Sequence, residues 1–219
     1  VGNDLALGYY YAIMNVNNGQ LYVGRDLRIQ DPYLQNDGTI AYGNYSYAKL
    51  KMTEEDDFVR VGRNFVTAAY HSHNGYLTNG ILEIKGNFTQ ITYQYDQNFY
   101  ATGNHKVILS GTGKQTISFA SPNARFAVLE ITNTSEAGVY ASSYFNANKV
   151  IDENGKLQFA EGRKAGWTLE KDEIVESFDL IYGILDLNGH KLTVNGNLTQ
   201  SGGEIKVNGG ELVVTGDYK

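Results

Sequence analysis

His190–Gln200 reads H-K-L-T-V-N-G-N-L-T-Q, and nearly the same arrangement stands at Gly80–Gln90 as G-I-L-E-I-K-G-N-F-T-Q. Val59–Thr67 (V-R-V-G-R-N-F-V-T) and Gly19–Ile29 (G-Q-L-Y-V-G-R-D-L-R-I) are two further versions. In each, apolar residues alternate, as at Leu192, Val194 and then Leu198, or Leu82, Ile84 and then Phe88. That is the period of a strand with one buried face. A Gly-Asn or a relative of it interrupts the alternation, and glycine lets a backbone bend at low steric cost. Each unit therefore reads as two short strands around a corner.

Working outward, Leu185 returns as Ile205 and Leu192 as Leu212 at one and the same interval. That interval, about 20 residues, is the length of one coil of a parallel β-solenoid, in which equivalent strands stack at roughly 4.8 Å. Toward the amino terminus Leu21, Ile40, Val59 and Leu82 recur at nearly the same interval, which predicts one row of stacked apolar positions. The first and last versions also match each other. Gly210, Leu212, Val214, Asp217 and Lys219 fall on Gly19, Leu21, Val23, Asp26 and Arg28 at a constant offset. The expected fold is thus all-β, a parallel β-helix with coils of about 20 residues, forming a single domain over 1–219.

His105–Gly111, Gln115–Phe119 and Phe126–Thr132 read as strands, whereas about 141–178 reads as an irregular or inserted segment. A weak helical spacing at Leu169, Ile174, Val175 and Phe178 leaves a short helix open there. Composition agrees with a β-rich body. There are 25 Gly and 17 Tyr but only 2 Pro, so turns fall mainly to Gly and Asn.

Charge and composition exclude several functions. A net charge of −6 and a pI near 5.2 disfavour nucleic acid and anionic membranes, which want a basic surface. The absence of cysteine removes disulfides and thiolate metal sites. No run approaches the ~18 apolar residues of a membrane-spanning helix, so no membrane insertion is expected. The amino terminus has no basic-then-apolar leader, and Val1 suggests a processed or excised piece.

The strings Leu185–Gly203 (L-D-L-N-G-H-K-L-T-V-N-G-N-L-T-Q-S-G-G), Gly86–Gln90 (G-N-F-T-Q) and His105–Phe119 (H-K-V-I-L-S-G-T-G-K-Q-T-I-S-F) resemble the tandem repeats of very large secreted or surface-attached bacterial proteins. The resemblance spans roughly 38–219, with 141–176 matching poorly. It implies a β-solenoid at an extracellular surface and supplies no catalytic residues, since those families are chiefly uncharacterised.

Candidate functional residues follow from the repeat. Asp26, Asn64, Asn87, Asn197 and Asp217 mark the corners, with Asn44 in a shortened version. Stacked in register, they would hydrogen-bond from coil to coil and satisfy turn backbone. Leu21, Val23, Leu27, Leu212, Val214 and Tyr218 are the expected faces of the terminal coils, through which further copies of the chain would add end to end. The expected function is a structural, non-enzymatic module of an extracellular bacterial fibre, stalk or surface layer, without a cofactor. A carbohydrate-binding adhesin module and a polysaccharide lyase or hydrolase stand as alternatives.

Other motifs carry weaker chemistry. The sequons at Asn44, Asn87, Asn133 and Asn197 coincide largely with the repeat corner, which explains them better than glycan attachment. His71 and His73 are alternate residues that could share a metal, but a solvated loop explains them as well. Glu54, Glu55, Asp56 and Asp57 lack calcium-loop spacing and read as a solvated turn. Gly111–Lys114 (G-T-G-K) lacks the Walker spacing and reads as a turn. Asp152, Glu153, Glu170, Asp172, Glu173 and Glu176, with Lys164, Lys171 and Trp167, gather acids without fixing their separation, as a glycosidase would require. Tyrosines are dense at Tyr9, Tyr10 and Tyr11, at Tyr42, Tyr45 and Tyr47, and at Tyr93, Tyr95 and Tyr100 beside Phe99. They would either stack between coils or present rings to sugars or another protein.

Overall fold

In the computed structural model the chain is all-β, built from mostly parallel stacked strands in coils of roughly 22 residues. The structure describes residues 1–91, 96–121, 123–143, 145–159, 163–164, 167–180, 184–200 and 202–219. They fall into two compact units, Val1–Lys156 and Leu157–Lys219. No helix occurs among the described residues.

Unit Val1–Lys156 has three faces. On the first, Gln20–Val23, Phe58–Val61, Ile81–Ile84, Lys106–Leu109, Arg125–Ile131 and Asn146–Ile151 pair in parallel, each with its successor one coil on. The register places Leu21, Val59, Leu82, Val107, Leu129 and Val150 in one row, and Val23, Val61, Ile84, Leu109 and Ile131 in a second. Both rows are inward, and every member of the second is at most 2% exposed. Around the corner lies the second face, where Leu5–Ala6, Leu27–Ile29, Phe65–Thr67, Phe88–Gln90, Gln115–Phe119 and Val139–Ala141 pair in the same way. The third face is narrower. It holds the parallel pair Ile13–Asn15 with Lys49–Lys51, continued by single bridges from Met52 to Leu77 and from Leu77 to Ala101.

Between the faces the core is aromatic. Phe65 and Phe88 stack with centroids 5.5 Å apart, Phe88 reaches Phe119 and Phe126 at 5.0 and 4.8 Å, and Phe99 packs edge-on against Phe88 at 4.8 Å. Parallel pairing puts like residues above each other, so a phenylalanine at one corner position is covered by a phenylalanine in the next coil.

Unit Leu157–Lys219 repeats the plan on a smaller scale. Its three faces are Arg163–Lys164, Phe178–Leu180 and Leu198–Gln200; Trp167–Thr168, Ile184–Asp186 and Glu204–Lys206; and Glu173–Val175, Lys191–Val194 and Glu211–Val214. Leu169, Phe178, Leu180, Leu185, Leu187, Leu192, Val194 and Leu198 form its core. The spacing at Leu169 to Phe178 belongs to a strand and a coil corner, with Ile174 pointing out at 70% exposure, and not to a helix.

Two expectations need correction. Ile40 does not join the row of Leu21 and Val59; those two pair directly with each other. The coil between them carries an antiparallel hairpin, Pro32–Leu34 with Ile40–Tyr42, and Ile40 sits on it 56% exposed. An insertion whose length happens to double the period mimics one extra coil. The corner glycines also owe less to flexibility than expected, because Gly24, Gly62, Gly86, Gly196 and Gly216 are not among the positive-φ glycines. The constraint is space. A Cβ on Gly62 would lie 2.2 Å from the Gly24 carbonyl oxygen, and one on Gly216 2.7 Å from that of Gly196. Corners stack so closely that the upper coil has no room for a side chain.

Candidate functional site

The corner residues form a hydrogen-bonded ladder in unit Val1–Lys156. The Asp26 N–H donates to Asp4 Oδ1 at 3.0 Å, the Asn64 N–H to Asp26 Oδ1 at 3.0 Å, the Asn87 N–H to Asn64 Oδ1 at 2.9 Å and the Thr116 N–H to Asn87 Oδ1 at 2.8 Å. Each carboxylate or amide oxygen thus accepts the backbone N–H of the next corner, which would otherwise be stranded between stacked coils. In unit Leu157–Lys219 the same contact joins the Asp217 N–H to Asn197 Oδ1 at 2.9 Å. Asp4 is a rung not expected above, although Val1-Gly2-Asn3-Asp4-Leu5 matches Val23-Gly24-Arg25-Asp26-Leu27. Asn44, by contrast, is exposed next to the hairpin and takes no part.

Asp26 is 3% exposed. Burial alone would raise its pKa, but the Asn64 N–H and the Arg28 and Arg63 guanidiniums outweigh that and hold it below the usual carboxylate value. Beyond Asn87 the ladder changes chemistry. The corner at Gly111–Lys114 is supported by buried Gln115, whose Oε1 accepts the Gly111 N–H at 2.7 Å and an Asn133 Nδ2 hydrogen bond at 2.8 Å. Asn133 is 1% exposed and its amide is engaged on Gly113, Gln115 and Ser135, so that sequon belongs to the corner scaffold.

The expected terminal residues divide. Gln20–Val23 is the edge strand of its face, with Leu21 half-buried and Val23 at 2% exposure. The segment from Val1 runs beside it, the amino group donating to the Tyr22 carbonyl and Gly24 N–H to the Val1 carbonyl. Leu27 is interior, since Leu5 pairs outside it and Phe65 inside. In the other unit Glu211–Val214 pairs, among the described residues, only with Lys191–Val194, and Leu212 and Val214 are half-buried. Tyr218 bridges Leu198, is 59% exposed and donates its hydroxyl to Gln200. The N–H groups of Glu211 and Thr215 bond back to His190 and Val194. By alternation, those of Leu212 and Val214 point to the open edge.

The remaining candidates scatter. His73 is fully buried and accepts the Leu50 N–H at 3.3 Å through Nε2, whereas His71 lies among tyrosine rings. No group of three or more metal-ligating His, Asp or Glu side chains occurs among the described residues. The solvated-turn expectation holds for Glu54, Glu55 and Asp56, which are exposed, but not for Asp57. Asp57 is 1% exposed and accepts the N–H groups of Asn18, Thr53 and Glu54 at 2.7, 2.8 and 3.1 Å, tying one coil to its neighbour. Asp152 accepts the Lys156 N–H at 2.9 Å, and Asp172 accepts that of Lys191 at 2.8 Å. Glu153, Glu170, Lys171 and Glu176 are exposed, while Trp167 and Glu173 are half-buried. Trp167, Glu170, Lys171 and Glu173 line one surface depression with Thr168. The Lys164 side chain, Tyr93 and Tyr95 lie outside the described residues. Comparison with protein-family models, curated proteins and solved structures found no match to this chain.

Proposed function

We propose that this chain is a structural, non-enzymatic module of an extracellular bacterial fibre or stalk, in which β-solenoid coils add to one another end to end. The observation carrying this reading is the Glu211–Val214 edge. It repeats the Leu-x-Val register and following acid of Gln20–Asp26, and it turns the N–H groups of Leu212 and Val214 outward. An incoming coil from a further stretch of chain or a second copy finds a row of backbone groups for pairing, apolar Leu212 and Val214 for register, and the Asp217 carboxylate for the next rung. A bacterial surface location rests on the resemblance of the repeat strings alone.

Electron microscopy of the purified chain at high concentration tests the proposal, with filaments or end-to-end oligomers expected. Val214→Pro removes an outward N–H without touching the bonds to Lys191–Val194, so it should abolish growth while leaving the circular dichroism unchanged. Dispersed monomers of the unaltered chain at high concentration would overturn the reading.

A further inference from the structure

Three sequence segments far apart in the chain, two of them just ahead of Ile13–Asn15 and Lys49–Lys51, bring their aromatic rings together in unit Val1–Lys156. Tyr47 lies at the centre, with ring centroids 6.2 Å from Tyr10, 5.4 Å from Tyr11, 6.4 Å from Tyr45, 4.8 Å from Tyr70 and 5.6 Å from His71. The Tyr10 and Tyr47 planes differ by only 7°. These rings are not buried between coils. Tyr10 is 85% exposed, Tyr11 66% and Tyr45 41%.

The backbone is strained to hold them there. Tyr9 and Tyr11 have φ of 64° and 50°, a left-handed conformation that costs a bulky residue roughly 1–2 kcal/mol. Two contacts offset the strain at Tyr9, whose N–H donates to Asp31 Oδ1 at 2.7 Å and whose hydroxyl donates to the Pro32 carbonyl at 3.0 Å. Strain of this kind collects where a surface is held ready for a ligand. A strand-forming role for these tyrosines would need neither the left-handed turns nor the exposure.

We infer that Tyr10, Tyr11, Tyr45 and Tyr47 form a platform for a neutral oligosaccharide of equatorially substituted pyranose rings. The axial C–H faces of such sugars are flat and apolar and stack on aromatic faces, while their rim hydroxyls need polar partners such as phenol groups. The planes of Tyr10 and Tyr47 lie within 7° of one another, so a flat sugar face laid on one ring is parallel to the other. Charge selects against acidic polysaccharides. Lys49, whose charge reaches His71, is already placed over the Tyr76 ring at 4.2 Å, and the chain carries a net charge of −6. Desolvation and then Lys49 lower the pKa of His71, and desolvation and the surrounding tyrosines raise that of the Tyr47 phenol.

Isothermal titration of the full chain with cellohexaose and with chitohexaose tests the inference. Saturable binding of at least one is expected, weakened about tenfold or more in Tyr10→Ala and in Tyr45→Ala. Tyr22→Ala, an exposed tyrosine on the first face, should bind as the unaltered chain does, and all three variants should keep its circular dichroism. Two results would overturn the inference: neither sugar binding at millimolar concentration, or affinity unchanged in the Tyr10→Ala, Tyr45→Ala double variant.

Discussion

Lowering the pH from 7.5 to 5 should strip the protein of stability through two histidines that no surface reaction uses. His73 and His105 are both fully buried, and burial lowers the pKa of each from 6.5 to about 3. At His73 nearby Lys49 acts in the same direction, and at His105 Asp57 opposes it. Well above pH 6.5 both rings are essentially neutral whether the chain is folded or not, and they contribute almost no pH dependence. Below it the unfolded chain takes up protons that the folded chain refuses, so stability falls with pH until the folded pKa near 3 is reached. With those values each histidine costs about 2 kcal/mol at pH 5, or about 4 kcal/mol together, a large share of a typical domain's stability. Asp26 and Glu83 do not obscure the window, because their folded values are lowered and shift the balance only below their ordinary values of 3.8 and 4.5. Urea unfolding followed by circular dichroism at pH 7.5, 6 and 5 measures the slope. His105→Leu should halve it. The variant should also be as stable as the unaltered chain, or more so, at pH 7.5, because neither His105 ring nitrogen has a hydrogen-bond partner among the described residues. A variant whose pH dependence ran parallel to that of the unaltered chain would refute the argument, as would an NMR titration placing His105 near 6.5 in the folded state.

Three further outcomes follow from the stacked corners and the first face. Gly62→Ala should lose about 1–3 kcal/mol in the same urea assay, since its Cβ meets the Gly24 carbonyl oxygen at 2.2 Å. Gly113→Ala, with nothing within 4 Å, should lose far less. Asn64→Ala strands the Asn87 N–H and removes a donor from Asp26, and should cost about 1–3 kcal/mol, with faster hydrogen exchange at Asn87. Glu83 is 8% exposed, and burial would raise its pKa, but Lys85, Ser110 and Arg60 together bring it down to about 2. Its stabilisation is therefore complete above pH 4.5 and lost as pH falls toward 2, and Glu83→Gln should flatten unfolding curves in that window while leaving the Phe65–Phe88 core packed.

The coil, its corner and the corner ladder were legible in the chain itself. Alternating Leu192, Val194 and Leu198 around Gly196-Asn197 is a local pattern, and parallel in-register stacking converts any local pattern into a vertical row. Asn64 above Asp26 and Asn87 above Asn64 needed only equal counting from each glycine. Where an insertion intervened, counting failed: the hairpin at 32–42 placed Ile40 at a false period, and its exposure follows only from the fold. The reason for glycine at position 62 was equally hidden, because the neighbour that excludes a side chain is the backbone of Gly24, one coil away.

The amino-acid order by itself determined that this protein is a stack of β coils turned at Gly-Asn corners, since both features depend on residues close to one another along the chain. Only the tertiary structure decided which tyrosines meet, that Asp4 heads the ladder and that Asp57 is buried. Each of those depends on how far the chain travels before returning, and loops lengthen that path without changing the vertical distance between coils.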